Sequence, residues 1–183
     1  MVSTKEVLKR KYRAWSPQAL EDRAYELAFT YAKHSKSCAQ SVIAAISQMV
    51  EIDNSLARIG TSFNGGQTSQ SAGTCGGLIG GTLVLDYFFG RPIEYISTNI
   101  SPVDSLQILT DAQEITYRLY KQYLNEYGTI LCPEIQTQLL GRHYYLWDPR
   151  EMSEFENQGG FRTKCSHVVG NGARWVMQIL IGM

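Results

Sequence analysis

Apolar residues recur along most of this chain at intervals of three and four, the spacing of one helix face, and few stretches alternate with the period of a strand. Leu20, Ala24, Leu27, Ala28 and Tyr31 share a face of the run opened by Ser16-Pro17, a pair that signals an N-cap and a first helical turn. CAQSVIAAISQMV, starting at Cys38, predicts a second and strongly apolar helix, and Asp53 to Ile59 a short third. The turn-rich TSFNGGQTSQSAGT then separates these from CGGLIGGTLVLDYFF, which predicts the next helix from Cys75. Ser101-Pro102 opens a long helix through Leu106, Leu109, Ile115, Leu119 and Tyr123 that stops at Gly128. CPEIQTQLLG predicts a short helix ending at Gly141, and Asp148-Pro149 caps another that Gly159-Gly160 ends. CSHVVGNGARWVMQILI, from Cys165, predicts the last helix. Near the start, Leu8, Tyr12 and Trp15 stand at i, i+4 and i+7, so residues 1–33 read as a helical extension docked on the body. RPIEYISTNI could be extended, but one strand makes no sheet. The expected architecture is all-α, an irregular multi-helix bundle forming a single domain.

Composition narrows the partners. The chain has 183 residues, enough to bury a core, and 17 basic residues against 17 acidic ones leave no net field to favour nucleic acid. No apolar run reaches the ~20 residues of a membrane-spanning helix. The best candidate, LIGGTLVLDYFF, is too short and contains Asp86. MVSTKEVLKR lacks the apolar core of a secretory signal. These features predict a soluble, cytoplasmic protein without membrane insertion. Thiols are kept reduced in that compartment, so four cysteines point to metal ligands or redox groups rather than structural disulfides.

Cys38, Cys75, Cys132 and Cys165 each fall at the first turn of a predicted helix. A helix start carries unpaired N–H groups and the positive end of the macrodipole, and both favour thiolate over thiol. Four such ends could converge on an anionic, thiolate-bound centre and donate N–H groups to its sulfurs, as around a tetrathiolate iron–sulfur cluster. The cysteines lie far apart in sequence and form no Cys-x-x-Cys pair, so local zinc-finger and ferredoxin signatures are absent. Taken singly, each could equally be a buried inert thiol. Three site chemistries stay open: an iron–sulfur cluster, a dithiol–disulfide couple, and a structural zinc ion that makes an interaction module.

Gly76 and Gly80 lie one turn apart, as do Gly77 and Gly81, so one helix face is nearly bare. The pattern suits close helix packing at Gly80 and Gly81, and access of a cofactor to Cys75 beside Gly76 and Gly77. His167, two residues after Cys165, could ligate a metal or donate to a sulfur. His34 and His143 are weaker candidates, the latter within the aromatic run HYYLW. No Ser/His/Asp order, paired-carboxylate motif or phosphate loop stands out, so no hydrolase or transferase is indicated and no catalytic residue is assigned.

Cys75-Gly76-Gly77-Leu78-Ile79-Gly80 resembles the hallmark element of the C_GCAxxG_C_C family of redox-active four-cysteine proteins, with Gly77 where alanine is usual. Cys38-Ala39-Gln40-Ser41-Val42 resembles that family's first cysteine element, and Cys132 in ILCPEIQTQLLG and Cys165 in KCSHVVGNGARW its third and fourth. GRHYYLWDPREMSEFENQGGFRTKC also resembles the cluster-bearing part of split-Soret cytochrome c. The resemblance implies an iron–sulfur or related redox site, most simply [2Fe–2S], on the four cysteines. It implies electron transfer or redox sensing with a redox partner protein, and a homodimer. Haem does not carry over, because no Cys-x-x-Cys-His occurs. Tyr87, Phe88, Phe89, Tyr144, Tyr145 and Trp147 supply aromatics that could serve a subunit interface.

Overall fold

A computed structural model describes residues 7–96 and 101–182. Among the described residues eight α-helices carry the fold: α1 (Pro17–Ser35), α2 (Cys38–Ser47), α3 (Ser55–Ile59), α4 (Gly76–Phe89), α5 (Pro102–Tyr127), α6 (Cys132–Leu140), α7 (Pro149–Asn157) and α8 (Cys165–Ile181). Among the described residues there is no strand, only the isolated bridges Leu8 to Val50 and Thr74 to Leu131. The all-α expectation holds. The helix-start signals operate as their chemistry predicts: the Ser16 hydroxyl accepts from Ala19 N–H at 3.3 Å, and the Asp148 carboxylate from Arg150 and Glu151 N–H at 2.7 and 3.2 Å. Gly128 and Gly141 stop α5 and α6 in the left-handed conformation.

Two local readings change. Leu8, Tyr12 and Trp15 do not continue as a long helix over the described residues; the chain pairs beside Val50 and then makes a 3-10 turn over Arg10–Tyr12. Leu8 and Tyr12 are buried all the same, and Trp15 packs edge-on against Tyr12. The backbone bonds Lys9 N–H to Met49 O and Glu51 N–H to Val7 O offer this segment partners that a solitary helix would not have. The stretch read as extended contains a 3-10 turn over Ile93–Ile96, and its remaining residues 97–100 lie outside the described residues.

The core is built on α8, whose Val168, Val169, Ala173, Val176, Met177 and Leu180 are buried. Helix α1 runs along it, held at its edges by the Arg174–Asp22 ion pair at 3.0 Å and by Gln178 donating to Glu21 at 2.7 Å. Helix α4 threads between α2 on one side and α5 and α8 on the other. A Cβ at Gly80 would stand 2.5 Å from the Ala39 carbonyl oxygen and 2.7 Å from the Ala39 Cα. The two backbones touch there without an intervening side chain. A Cβ at Gly81 would instead meet the Leu119 and Val176 methyls at 2.6 and 2.8 Å.

This difference generates a test. Gly80→Ala forces backbone apart and is expected to lower stability by about 1–3 kcal/mol or more, while Gly81→Ala meets side chains that can rotate and loses less. Thermal unfolding followed by circular dichroism should order the Tm values wild type, Gly81→Ala, Gly80→Ala. An equal loss in the two variants would contradict the packing described.

Candidate functional site

Helices α2, α6 and α8 begin on Cys38, Cys132 and Cys165, and Cys75 is the residue before α4. The fold brings these four starts within electrostatic reach of one another. The charge that any one of the four would carry is felt at others: Cys38 by Cys75 and Cys132, and Cys165 by the remaining three. All four are free thiols; Cys38, Cys75 and Cys132 are buried and Cys165 is half-buried.

Local bonds set each thiol. Cys75 N–H donates to Ile130 O and Cys132 N–H to Gly73 O, both at 2.8 Å, on either side of the Thr74–Leu131 bridge. Those two cysteines, distant in sequence, are thereby tied into one two-stranded clasp. Cys38 N–H donates to the Asn64 side-chain oxygen at 3.0 Å. Cys165 follows a π-helical turn over Gly160–Lys164, and its N–H is already taken by Gly160 O. Its helix start is not a free one.

Donors do reach the sulfurs. Gly77 and Leu78 N–H bond to Cys75, Gly65 N–H bonds to Cys38, and the Gln136 amide donates to the Cys132 sulfur at 3.2 Å. Yet the net effect opposes the thiolate expected at a helix start. Burial raises Cys75 and, reinforced by neighbouring thiols, pushes Cys38 and Cys165 far up and takes Cys132 to about 12. Desolvation of an anion in the interior outweighs a helix end and a few N–H groups. The thiols are held neutral.

The space beside the glycines is filled by the chain itself. A Cβ at Gly76 would lie 2.4 Å from the Phe63 carbonyl oxygen and 2.8 Å from the Cys38 Cβ. At Gly77 it would lie 2.6 Å from the Tyr123 hydroxyl. Gly76 therefore lets Cys38 and Cys75 approach one another, and Gly77 makes room for a tyrosine.

Several residues of the site carry no signal of their own in the sequence. The loop between α3 and α4 turns left-handed at Gly65, Gly66, Gln67, Thr68, Ser69 and Ser71. Positive φ is strained for Gln, Ser and above all β-branched Thr, at about 1–3 kcal/mol each. The strain is held by Thr68 N–H to Ser62 O at 2.7 Å and by Ser69 N–H to Asn64 O and Ser71 N–H to Gly65 O at 2.8 Å. Ser71 donates to Tyr144 O, Gln136 donates to Ser71 at 3.0 Å, and Tyr144 N–H donates back to Gln136 at 3.0 Å. Trp147, largely exposed, donates from its indole to Thr68 O. The loop is thus laced over Cys38 and Cys132, and a Cβ at Gly66 would strike the Cys132 Cβ at 2.8 Å. The double glycine at 65–66 was the one visible hint.

The histidines stand apart from this convergence. His167 is exposed; its Nδ1 is engaged by the Tyr25 hydroxyl and its ring packs on Phe29, with centroids 4.9 Å apart. His34 and His143 are exposed. Among the described residues no three His, Cys, Asp or Glu side chains are arranged to hold one metal ion. The donor set itself is four soft sulfurs with nitrogen donors behind them. That chemistry fits a tetrathiolate centre, and a two-iron cluster asks for the sulfurs in two pairs rather than four around one point.

A family model described as "Putative redox-active protein (C_GCAxxG_C_C)" matches residues 36–179, a span that contains all four cysteines. No curated protein and no solved structure matches the chain. Among the described residues no helix is long and apolar enough to cross a membrane.

The raised thiols make stability pH-dependent. Below the ordinary thiol value of 9.0 the cysteines are protonated in both folded and unfolded chains, and pH has no leverage through them. Above it the unfolded chain releases protons that the folded chain keeps, so stability falls as pH rises. Urea unfolding of the reduced, metal-free protein should show a midpoint that is nearly level from about pH 7 to 8 and drops from about 9 upward. Cys38→Ser should lessen that drop, the other three thiols remaining raised.

Proposed function

This chain belongs to the C_GCAxxG_C_C family of redox-active proteins, and from that premise we propose that Cys38, Cys75, Cys132 and Cys165 hold an iron–sulfur cluster, [2Fe–2S], for one-electron transfer or redox sensing. What supports the reading is that Cys38, Cys75 and Cys132 lie buried at three helix starts and Cys165, half-buried at a fourth, stands within electrostatic reach of all three. When bound, such a cluster supplies reversible one-electron oxidation and reduction. The chain's part is to shape and solvate the site. Gly65, Gly77 and Leu78 N–H and the Gln136 amide are placed to stabilise charge on sulfur. The strained loop and the glycine-lined start of α4 keep water away. A bound metal would replace the thiol protons, which answers the desolvation that holds the thiols neutral.

Anaerobic reconstitution with iron and sulfide tests this. About two irons and matching sulfide per chain, with visible charge-transfer absorption, are expected. Serine at any one of the four cysteines should lower iron retention while far-ultraviolet circular dichroism stays native. A colourless, iron-free product overturns the proposal. Stoichiometric zinc would then favour an interaction module, and loss of two titratable thiols per oxidation without metal a dithiol couple.

Two further features support finer parts of the reading. Val103, Leu106 and Tyr117 are exposed on one face of α5, an apolar strip suited to a second copy of the chain, so a homodimer is proposed. Light scattering should give twice the 20.6 kDa chain mass, and a monomer at all concentrations would refute it. The thiol chemistry also calls for a reducing compartment, the cytoplasm.

A further inference from the structure

Asp86 is the one charged residue of α4, and it stands in the last turn, where the negative end of the helix macrodipole disfavours a carboxylate. Partial burial raises its carboxyl, and neither a hydrogen bond nor a neighbouring cation offsets that. Gly90 then turns the chain out of the helix: its N–H bonds to Asp86 O at 2.8 Å, and a Cβ there would lie 2.4 Å from the same oxygen. The next residue, Arg91, is anchored on α5, where its Nη1 donates to Ser105 O at 3.4 Å and to Ser105 Oγ at 3.0 Å. Ser105 is itself held by donating to Tyr95 O. The Arg91 Nε is left without a hydrogen-bond partner among the described residues, and Arg91 makes no ion pair with Asp86.

Both charges line one cleft of about 740 Å³ between α4 and α5. Thr82, one turn before Asp86, adds a hydroxyl to it and Gln113 an amide, while Leu109 and Ala112 supply an apolar wall. The volume falls within the roughly 300–1,000 Å³ of small-molecule sites, and a few polar groups on a partly apolar wall are their usual lining. None of the four cysteines lines this cleft. The chemistry of the lining restricts the occupant. A neutral molecule would desolvate two charges and answer neither. A simple anion drawn to Arg91 would be repelled by Asp86, and a simple cation the reverse. A molecule that carries both charges answers both.

We propose that this cleft binds a zwitterion with an apolar body, an amino acid or short peptide whose ammonium meets Asp86 and whose carboxylate meets the Arg91 guanidinium. Arginine suits the carboxylate because its donors form a planar fork, and the bonds to Ser105 fix the plane. Leu109 and Ala112 take the apolar body, and Thr82 and Gln113 offer hydrogen bonds to a peptide or carboxyl group. An acid at the wrong end of a helix is thereby explained by what it binds. The inference goes beyond the redox reading and does not depend on what the four cysteines hold.

L-leucine and leucyl-leucine are the probes, titrated into the full reduced chain by isothermal calorimetry beside their N-acetyl and C-amide derivatives. Saturable binding of at least one is expected, and the tighter of the two decides between free amino acid and peptide. Removing the ammonium by acetylation or the carboxylate by amidation should each weaken binding roughly tenfold. Asp86→Asn should weaken the parent probe by a similar factor and leave it no better than its N-acetyl derivative. Arg91→Gln should do the same relative to the C-amide. Circular dichroism checks that each variant is folded; should Arg91→Gln lose its fold with the Ser105 anchor, Asp86→Asn decides alone, since no bond in the chain depends on that carboxylate. No binding of either probe, derivatives that bind as well as their parents, or an unchanged affinity in Asp86→Asn overturns the inference.

Discussion

The contact on which the rest of this molecule depends is the bare backbone of α4 against its neighbours. Four glycines in its first two turns let α2 approach until Ala39 touches Gly80, and let Cys38 come beside Gly76. The opposite side admits Tyr123 at Gly77 and the Leu119 and Val176 methyls at Gly81. Glycine in a helix is unfavourable by roughly 0.5–1 kcal/mol relative to alanine, so a helix start with four of them is weak by itself. It stands because it is enclosed by α2, α5 and α8. The enclosure in turn sets how near the four cysteines lie. Packing and chemistry are here one constraint, since moving α2 outward by the depth of a methyl group would also move Cys38 from Cys75.

A second tension sits on top of the first. The site collects four groups that ionise, then removes the water that would favour their ionisation. Burial alone would make them inert hydrophobes. Against that stand donors from three directions: the first turn of α4, the left-handed loop at Gly65, and the Gln136 side chain. Without such a charge to meet, burial prevails and the thiols stay protonated. The donors do not create thiolates; they lower the penalty of having them once a cation or an oxidant arrives. This also accounts for the strained loop. Residues at positive φ persist where the surroundings over-determine them, and the bonds from Ser62, Asn64, Tyr144 and Gln136 do so here.

The helices and the four cysteine positions were legible because they rest on local rules. Ser16-Pro17 and Asp148-Pro149 name their helix starts within a few residues, and apolar spacing names the faces. The first turn before Pro17 misled, because Leu8, Tyr12 and Trp15 satisfy a helical period while the backbone finds better partners at Met49 and Glu51. Placement of a cysteine at a helix start could also be read, but the resulting thiol state could not. It depends on the other three cysteines and on depth, both products of the whole fold. Gln136, Asn64 and Tyr123 were silent for the same reason. Each looks like an ordinary helix or loop residue until its partner, far off in sequence, is in place.

Gly77 shows how far such a residue can mislead. A small residue after a cysteine invites the idea of an opening for a cofactor, and composition gives no ground to prefer another. In the folded chain the missing methyl is matched by the Tyr123 oxygen, and by Gly172 opposite. One glycine alone would be explained by helix packing. Two glycines facing one hydroxyl are not, because a core that needed only the ring could have used phenylalanine and kept side chains on both helices. The space is cut to a polar atom.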